Sequence, residues 1–182
     1  WLGECIGVDE LIYYMFSGRH KGRPEEGQKY NLIGIGADYG QQNATTYQAC
    51  GINEYQCRLD GLQEYYHSGR ETGKQKSPSK YAADFADFVE SLQEAYGCNI
   101  FYLYLDPSAR GLQEEIKRTC RQRGLTIHFK DAQNEVALGI ARVQKLLTYG
   151  ILRISPDQKH LIEEFGLYEY DRKLLDKGRE VP

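Results

Sequence analysis

The chain has 182 residues, which is enough for one domain with a hydrophobic core of ordinary size. Its composition, 41% hydrophobic and 27% charged with no apolar run near the ~18 residues that cross a bilayer, predicts a soluble globular protein without a membrane span. The net charge of −3 argues against a protein that coats nucleic acid by charge alone, because such affinity depends on phosphates neutralised by Lys and Arg.

The cysteines and the first residues predict the compartment of the protein, and the chain ends predict that it is part of a longer one. The five cysteines are an odd number without C-x-x-C or another metal-ligand spacing, so we interpret them as reduced thiols. The first residues show no signal-peptide pattern, and we expect a cytoplasmic protein. Because the chain begins at Trp1 rather than Met and stops at Pro182, we expect residues 1–182 to be a single domain excised from a longer protein.

The first half of the chain is rich in β-prone segments. Residues 11–16 predict an entry strand, and a charged, exposed segment follows as far as residue 28. Three further strands are predicted at residues 32–37, 44–52 and 55–59. Because short turns join these three strands, they predict an antiparallel meander. Residues 68–79 are then entirely polar and predict a mobile loop.

The second half alternates helices with strands. Helical spacing of apolar residues predicts helices at about 80–96 and 109–123 and a third from Asn134, its expected N-cap, to residue 147. Strands are predicted at 100–105, 125–129 and 151–154, the first of them buried on both faces. A last helix is expected from Ser155, as N-cap of a capping box with Gln158, to Gly166. The order predicts an α/β fold with a mixed central sheet and helices on its faces.

Two carboxylates end predicted buried strands, Asp38 after residues 32–37 and Asp106 after residues 100–105. An acid in such a position commonly caps a turn. If the two strands are parallel neighbours, however, both acids lie at one edge of the sheet, where they must share a proton or bind a metal. Their oxygens suit Mg²⁺ or Mn²⁺, and two such ions ~3.5–4 Å apart are the usual device for phosphodiester cleavage.

Other chemistries have weaker support. The Gly69 to Lys74 segment is one residue too short for a P-loop and lacks the Ser or Thr after its lysine. The sequence contains neither a G-x-S-x-G nucleophile elbow nor an H-E-x-x-H helix, and its four histidines lie in unrelated segments.

Three blocks carry a family resemblance: IGADYG at 35–40 with Asn43, YLDPSA at 104–109, and N-x-V-x-x-G-I-x-x-V at 134–143. In order and spacing they resemble the C-terminal nuclease domain of the large terminase subunit of tailed bacteriophages. The resemblance implies a ribonuclease-H-like fold and a metal-dependent endonuclease that cuts concatemeric viral DNA in the bacterial cytoplasm during packaging. It further implies an ATPase motor domain before Trp1, and the small terminase subunit and portal as partners.

The same resemblance makes Asp38 and Asp106 the expected catalytic metal ligands, with Asp38 bridging two Mg²⁺ or Mn²⁺ ions and Asp106 holding one. The family's third acid generally lies in a helix just beyond the point where this sequence ends; Glu164, Asp171 and Asp176 are possible substitutes.

DNA contacts are expected from three basic residues of the 68–79 loop, Arg70, Lys74 and Lys76. Two other functions remain open: another ribonuclease-H-like enzyme, such as a resolvase or transposase, and a non-catalytic module that docks a portal or partner protein and uses its acids as turn caps.

Overall fold

A computed structural model describes residues 11–40, 43–133 and 135–170. Within these residues the core is one mixed six-stranded sheet in the order β5-β4-β1-β2-β3-β6. The strands are β1 Ile33–Asp38, β2 Ala44–Asn53, β3 Arg58–Ser68, β4 Phe101–Leu105, β5 Ile127–Asp131 and β6 Leu152–Ile154. The helices are α1 Gly69–Thr72, α2 Pro78–Tyr96, α3 Arg110–Gln122, α4 Val136–Thr148 and α5 Lys159–Phe165, and a 3₁₀ turn spans Gly18–His20. No described helix is long and apolar enough to cross a membrane.

The predicted meander is confirmed, since β1 pairs antiparallel with β2 and β2 with β3. The third strand was predicted at 55–59 but runs over Arg58–Ser68. A turn occupies residues 54–57, where Cys57 has a positive φ of 49° and its N–H donates to the Glu54 carbonyl. The length of β3 was missed because most of its residues are polar and lack the alternation that marks a half-buried strand.

Helix-containing crossovers add parallel strands at both edges: β4 pairs with β1, β5 with β4, and β6 with β3. Helices α2 and α3 contact one another, and their buried side chains join one core cluster with those of β1 and β4. Ile35, Leu103 and Phe85 are fully enclosed in this cluster. A smaller cluster joins α4, β6 and α5 through Leu147, Ile154 and Phe165.

Strand β4 was predicted to be buried on both faces, and this is wrong. Phe101, Leu103 and Leu105 are buried in the main core, whereas Tyr102 is half-buried and Tyr104 is 45% exposed. Successive side chains of a strand point to opposite faces, and a tyrosine tolerates water because its hydroxyl remains solvated. The apolar run therefore reflects one buried face and one aromatic face.

Two boundaries also differ from prediction. The expected entry strand at 11–16 is a turn at residues 12–15, and only Leu11 forms an isolated bridge, with Glu169. Helix α5 begins at Lys159 rather than beside Ser155. Gln158 is its N-cap residue, but the buried Gln158 side chain donates through Nε2 to Gln48 Oε1 (2.9 Å) and makes no cap bond. Asn134, the predicted N-cap of α4, lies outside the described residues.

Candidate active site

The two predicted acids lie at the carboxyl ends of adjacent parallel strands. Ala37 of β1 pairs with Leu105 of β4, so Asp38 and Asp106 occupy the next position of neighbouring strands. Asp38 is exposed and Asp106 half-buried. Both line one cavity of about 470 Å³, together with Tyr39, which follows β1, and with residues at the starts of α2 and α3: Pro78, Ser108, Ala109, Gly111 and Leu112. The parallel neighbourhood predicted for the two strands is thus confirmed, and one cavity brings the two acids together.

Asp106 shapes the turn that leads into α3. Its Oδ1 accepts a hydrogen bond from the Ser108 N–H (2.7 Å), and its carbonyl accepts one from the Ala109 N–H (3.0 Å). Pro107 ends the strand because it cannot donate to a sheet ladder. The turn-cap interpretation of this acid therefore holds for one carboxylate oxygen.

The N-terminus of α3 opens into the same cavity. Its N-cap, Ala109, has no side chain that could bond the first amides, and Gly111 would meet no heavy atom within 4 Å if it carried a Cβ. Uncapped amides give the start of a helix a partial positive charge, which attracts carboxylates and phosphates. The cavity thus combines two acids with a helix end that favours anions.

Glu64 of β3 is an acid with a buried side chain that no local sequence pattern predicted. Its carboxylate accepts from the His160 N–H (2.9 Å) and the Leu161 N–H (3.1 Å) at the start of α5, and from Gln48 Nε2 (3.3 Å). Burial opposes its charge, but these bonds and the one from His160 Nδ1 (3.0 Å) hold the pKa of Glu64 below its ordinary value. Glu64 therefore anchors α5 to the sheet as a charged cap. No local pattern marked it, because the α5 residues that it bonds, His160 and Leu161, are about 100 residues away.

Helix α5 carries Glu164 into electrostatic range of the site. Burial raises the pKa of Glu164, and the nearby charges of Glu64 and then Asp38 raise it further, while His160 opposes them. Of the three substitutes suggested for a third acid, Glu164 is therefore near Asp38, and Asp171 and Asp176 lie outside the described residues. Among the described residues, no group of three or more His, Cys, Asp or Glu is arranged to hold a metal ion.

Residues 68–77 run from the end of β3 to Pro78, which lines the cavity. Residues 68–79 were predicted to be a mobile loop, but they include the start of α2 and the short helix α1, which is capped by Ser68 Oγ, the acceptor of the Glu71 N–H (3.2 Å). Arg70 and Lys74 are exposed. Lys76 is half-buried, and its Nζ lies 2.7 Å from Asp84 Oδ2.

The strand order has three antiparallel strands, with parallel strands added beside β1 and β3, and it defines a ribonuclease-H-like fold. Within that class, the chain resembles the nuclease domain of large terminases, as predicted. A large terminase from a thermophilic bacteriophage, solved both with and without nucleotide, matches 95% of this chain with 26% identity and a TM-score of 0.76 in one crystal form. The chain spans 41% of that protein's length.

Two isolated nuclease domains match in fold at lower identity. The P22 large terminase nuclease domain covers 90% of this chain and matches over 81% of its own length, with 14% identity and a TM-score of 0.67. The large terminase nuclease of thermophilic phage G20c, solved with bound cobalt, covers 90% of this chain and matches over 82% of its own, with 16% identity and a TM-score of 0.57. No protein-family model matches the sequence, and no curated protein matches it.

Proposed function

We propose that this chain is the nuclease domain of a large terminase and that it hydrolyses phosphodiester bonds of double-stranded DNA at the cavity between Asp38 and Asp106. One observation carries the proposal: in a terminase nuclease fold, the two acids predicted from the sequence end neighbouring parallel strands and line one cavity. A metal-dependent endonuclease needs carboxylates at such an edge.

The acids fit one divalent ion, and a second ion requires a further ligand. Asp38 and Asp106 supply the hard oxygens that Mg²⁺ and Mn²⁺ prefer. Binding an ion also offsets the repulsion between two adjacent carboxylates. Because the described residues hold no group of three potential ligands, we propose that a third acid outside them, or Glu164, would hold the second ion. The G20c nuclease, which shares this fold, was solved with bound cobalt, in agreement with a metal-binding function.

The chain's own groups would position the DNA. A bound divalent ion supplies Lewis-acid activation of the scissile phosphate and of the attacking water. The uncapped amides at the start of α3 favour a phosphate within the cavity. Arg70 and Lys74, exposed in the segment that leads to Pro78, are suited to flanking phosphates. Such contacts position DNA without reading its sequence. The prediction that Lys76 is a third DNA contact can be tested by the salt dependence of DNA binding.

The similarity to a large terminase from a bacteriophage supports proposals about the rest of the subunit, its substrate and its partners. We propose that an ATPase motor domain belongs to the same subunit, that the substrate is concatemeric viral DNA in the bacterial cytoplasm, and that the small terminase subunit and portal are partners. Because this chain spans 41% of that terminase, these features belong to the complete subunit.

A docking module is the second candidate, favoured by the bond from the Ser108 N–H to Asp106, which is what a turn cap makes. A plasmid-nicking assay with Mn²⁺, Mg²⁺ or chelator separates the two. The nuclease proposal expects nicking that needs the metal and is lost in Asp38→Asn. A docking module neither nicks DNA nor binds Mn²⁺ at micromolar to millimolar concentration.

A further inference from the structure

The three basic residues of the 68–77 segment differ in their surroundings. Arg70 and Lys74 are exposed, and within the described residues neither forms an ion pair. The Lys76 side chain is only 26% exposed, and its Nζ lies 2.7 Å from Asp84 Oδ2 on α2. Arg70 and Lys74 are therefore accessible to a ligand, whereas Lys76 is already paired with Asp84.

A third residue completes the contact between the segment and α2. Tyr65 of β3 donates from its hydroxyl to Asp84 Oδ2 (2.7 Å), and Lys76 Nζ donates to the Tyr65 hydroxyl oxygen (3.1 Å). The ammonium also lies 5.5 Å from the centre of the Tyr65 ring. Charge-assisted bonds between half-buried groups are stronger than those between exposed ones, because water screens them less.

The cluster of Lys76, Asp84 and Tyr65 is close in sequence to a residue that lines the cavity. Lys76 lies two residues before Pro78, which lines the cavity with Asp38, and Lys74 lies two residues before Lys76. The segment has other anchors as well: Ser68 Oγ caps α1, Thr72 Oγ1 donates to the Ser68 carbonyl (2.8 Å), and Ser77 Oγ accepts from the Lys80 N–H at the start of α2. The ion pair at Lys76 adds a contact from the far end of the segment to Asp84, further along α2.

We propose that Lys76 is a positioning residue rather than a DNA contact: with Asp84 and Tyr65 it clasps the 68–77 segment to α2, so that Arg70 and Lys74 face the phosphates that flank the cleavage cavity. The role as a DNA-positioning group rests on the proposed nuclease function. The clasp itself is a property of the folded chain and can be measured without DNA.

Lys76→Met and Lys74→Met form a matched pair, since each removes one charge and keeps the aliphatic stem. Hydrogen exchange of the Lys80 and Tyr81 amides, which donate to the Ser77 carbonyl, should speed up about tenfold or more in Lys76→Met, because the lost charge-assisted hydrogen bond loosens the end of the segment that carries this carbonyl. It should stay unchanged in Lys74→Met. Equal exchange in the two variants would overturn the clasp, whether or not the protein cuts DNA.

DNA binding tests the positioning role. The slope of log affinity against log salt should fall by about one unit in Lys74→Met and remain unchanged in Lys76→Met, whose affinity should nevertheless drop. In nicking assays Lys76→Met should raise KM and leave kcat, whereas a general folding defect lowers kcat by reducing the active fraction. A slope reduced by about one unit in Lys76→Met would make Lys76 a phosphate contact and overturn the proposal.

Asp84→Asn gives opposite outcomes under the two interpretations. If Lys76 contacts DNA, removal of the neighbouring acid strengthens DNA binding. If the clasp is real, Asp84→Asn speeds exchange of the Lys80 and Tyr81 amides as Lys76→Met does, and the double variant adds little further. The exchanged pair Lys76→Asp with Asp84→Lys should restore slow exchange and the normal KM.

Discussion

Asp38 and Asp106 follow a directly paired position, Ala37 opposite Leu105, in two parallel strands, and their carboxylates line the same cavity. The two acids are not equivalent. Asp106 accepts a hydrogen bond from its own turn through Oδ1. Asp38 is exposed, and within the described residues its carboxylate forms no hydrogen bond or ion pair. Asp38 is therefore the acid with both oxygens available to a ligand.

Asp38→Asn should abolish metal-dependent nicking while leaving the fold intact. If Asp38 holds a catalytic ion, the lost charge stabilisation of several kcal/mol slows plasmid nicking by about 100-fold or more. The melting temperature should stay the same or rise, since a charge that repels Glu164 is removed. Asp131→Asn is a suitable control, because Asp131 ends β5 in an exposed position and lines a different cavity. Nicking by Asp38→Asn at the unsubstituted rate would exclude Asp38 from the site.

Metal stoichiometry tests whether the site is complete within this chain. We expect calorimetric titration with Mn²⁺ to give one tight site and one weak site, because no described group of three acids is arranged for a metal. Glu164→Gln should leave the tight site unchanged and raise the melting temperature by relieving repulsion from Glu64 and Asp38. Two equivalent tight sites, one of them lost in Glu164→Gln, would instead identify Glu164 as the third ligand.

Asp60 should control stability in acid. Its carboxylate is buried, and its charge is held by Arg58 Nε (2.7 Å) and the Tyr30 hydroxyl (2.7 Å), with Arg153 Nε at 3.4 Å. Burial opposes this charge, but the bonds and the two arginines lower the pKa of Asp60 below its ordinary 3.8. Because the folded-state pKa is the lower one, this stabilisation is complete above pH 3.8 and is lost as pH falls through the folded-state value.

Asp60→Asn should therefore cost about 3 kcal/mol at neutral pH, as breaking a buried ion pair does. The difference from the unsubstituted protein should shrink below pH 3.8. Urea unfolding at several pH values measures both effects. A difference that stays constant with pH would show that the charge of Asp60 contributes little and that the loss comes from packing.

The sequence predicted those parts of the fold that local periodicity determines. Helix α3 was predicted because its apolar residues recur at helical spacing, and three of them, Leu112, Ile116 and Cys120, form its buried face. The edge with Asp38 and Asp106 was also predictable, since each acid directly follows a run of apolar residues. The start of α5 was not, because Gln158 forms its hydrogen bonds with β2 and β3, far away in sequence.

The roles of Glu64 and Lys76 also depend on contacts with residues of other elements, and the local sequence does not show these contacts. Glu64 bonds residues about 100 positions later, and Lys76 finds its acid on a helix that the sequence places after the basic segment. A charged residue in a polar stretch has the same local pattern whether it is solvated or paired. Only the folded chain distinguishes Lys76 from Lys74.

Gly40 should be needed to place Asp38. A Cβ at Gly40 would lie 2.4 Å from the Ala44 carbonyl oxygen and 2.7 Å from that of Asn43, and backbone atoms cannot move aside without shifting the turn. Gly40→Ala should thus cost about 1–3 kcal/mol, the range for overpacking, and should lower kcat by displacing Asp38 two residues earlier. Thermal melts and nicking rates measure the two effects.

Gly36→Ala is the matched control on the same strand. A Cβ there meets no heavy atom within 4 Å, and a strand residue gains about 0.5–1 kcal/mol when Gly is replaced by Ala. The melting temperature should stay the same or rise slightly. If Gly40→Ala proves as stable and as active as Gly36→Ala, the turn after β1 tolerates a side chain, and the position of Asp38 does not depend on the close backbone approach at Gly40.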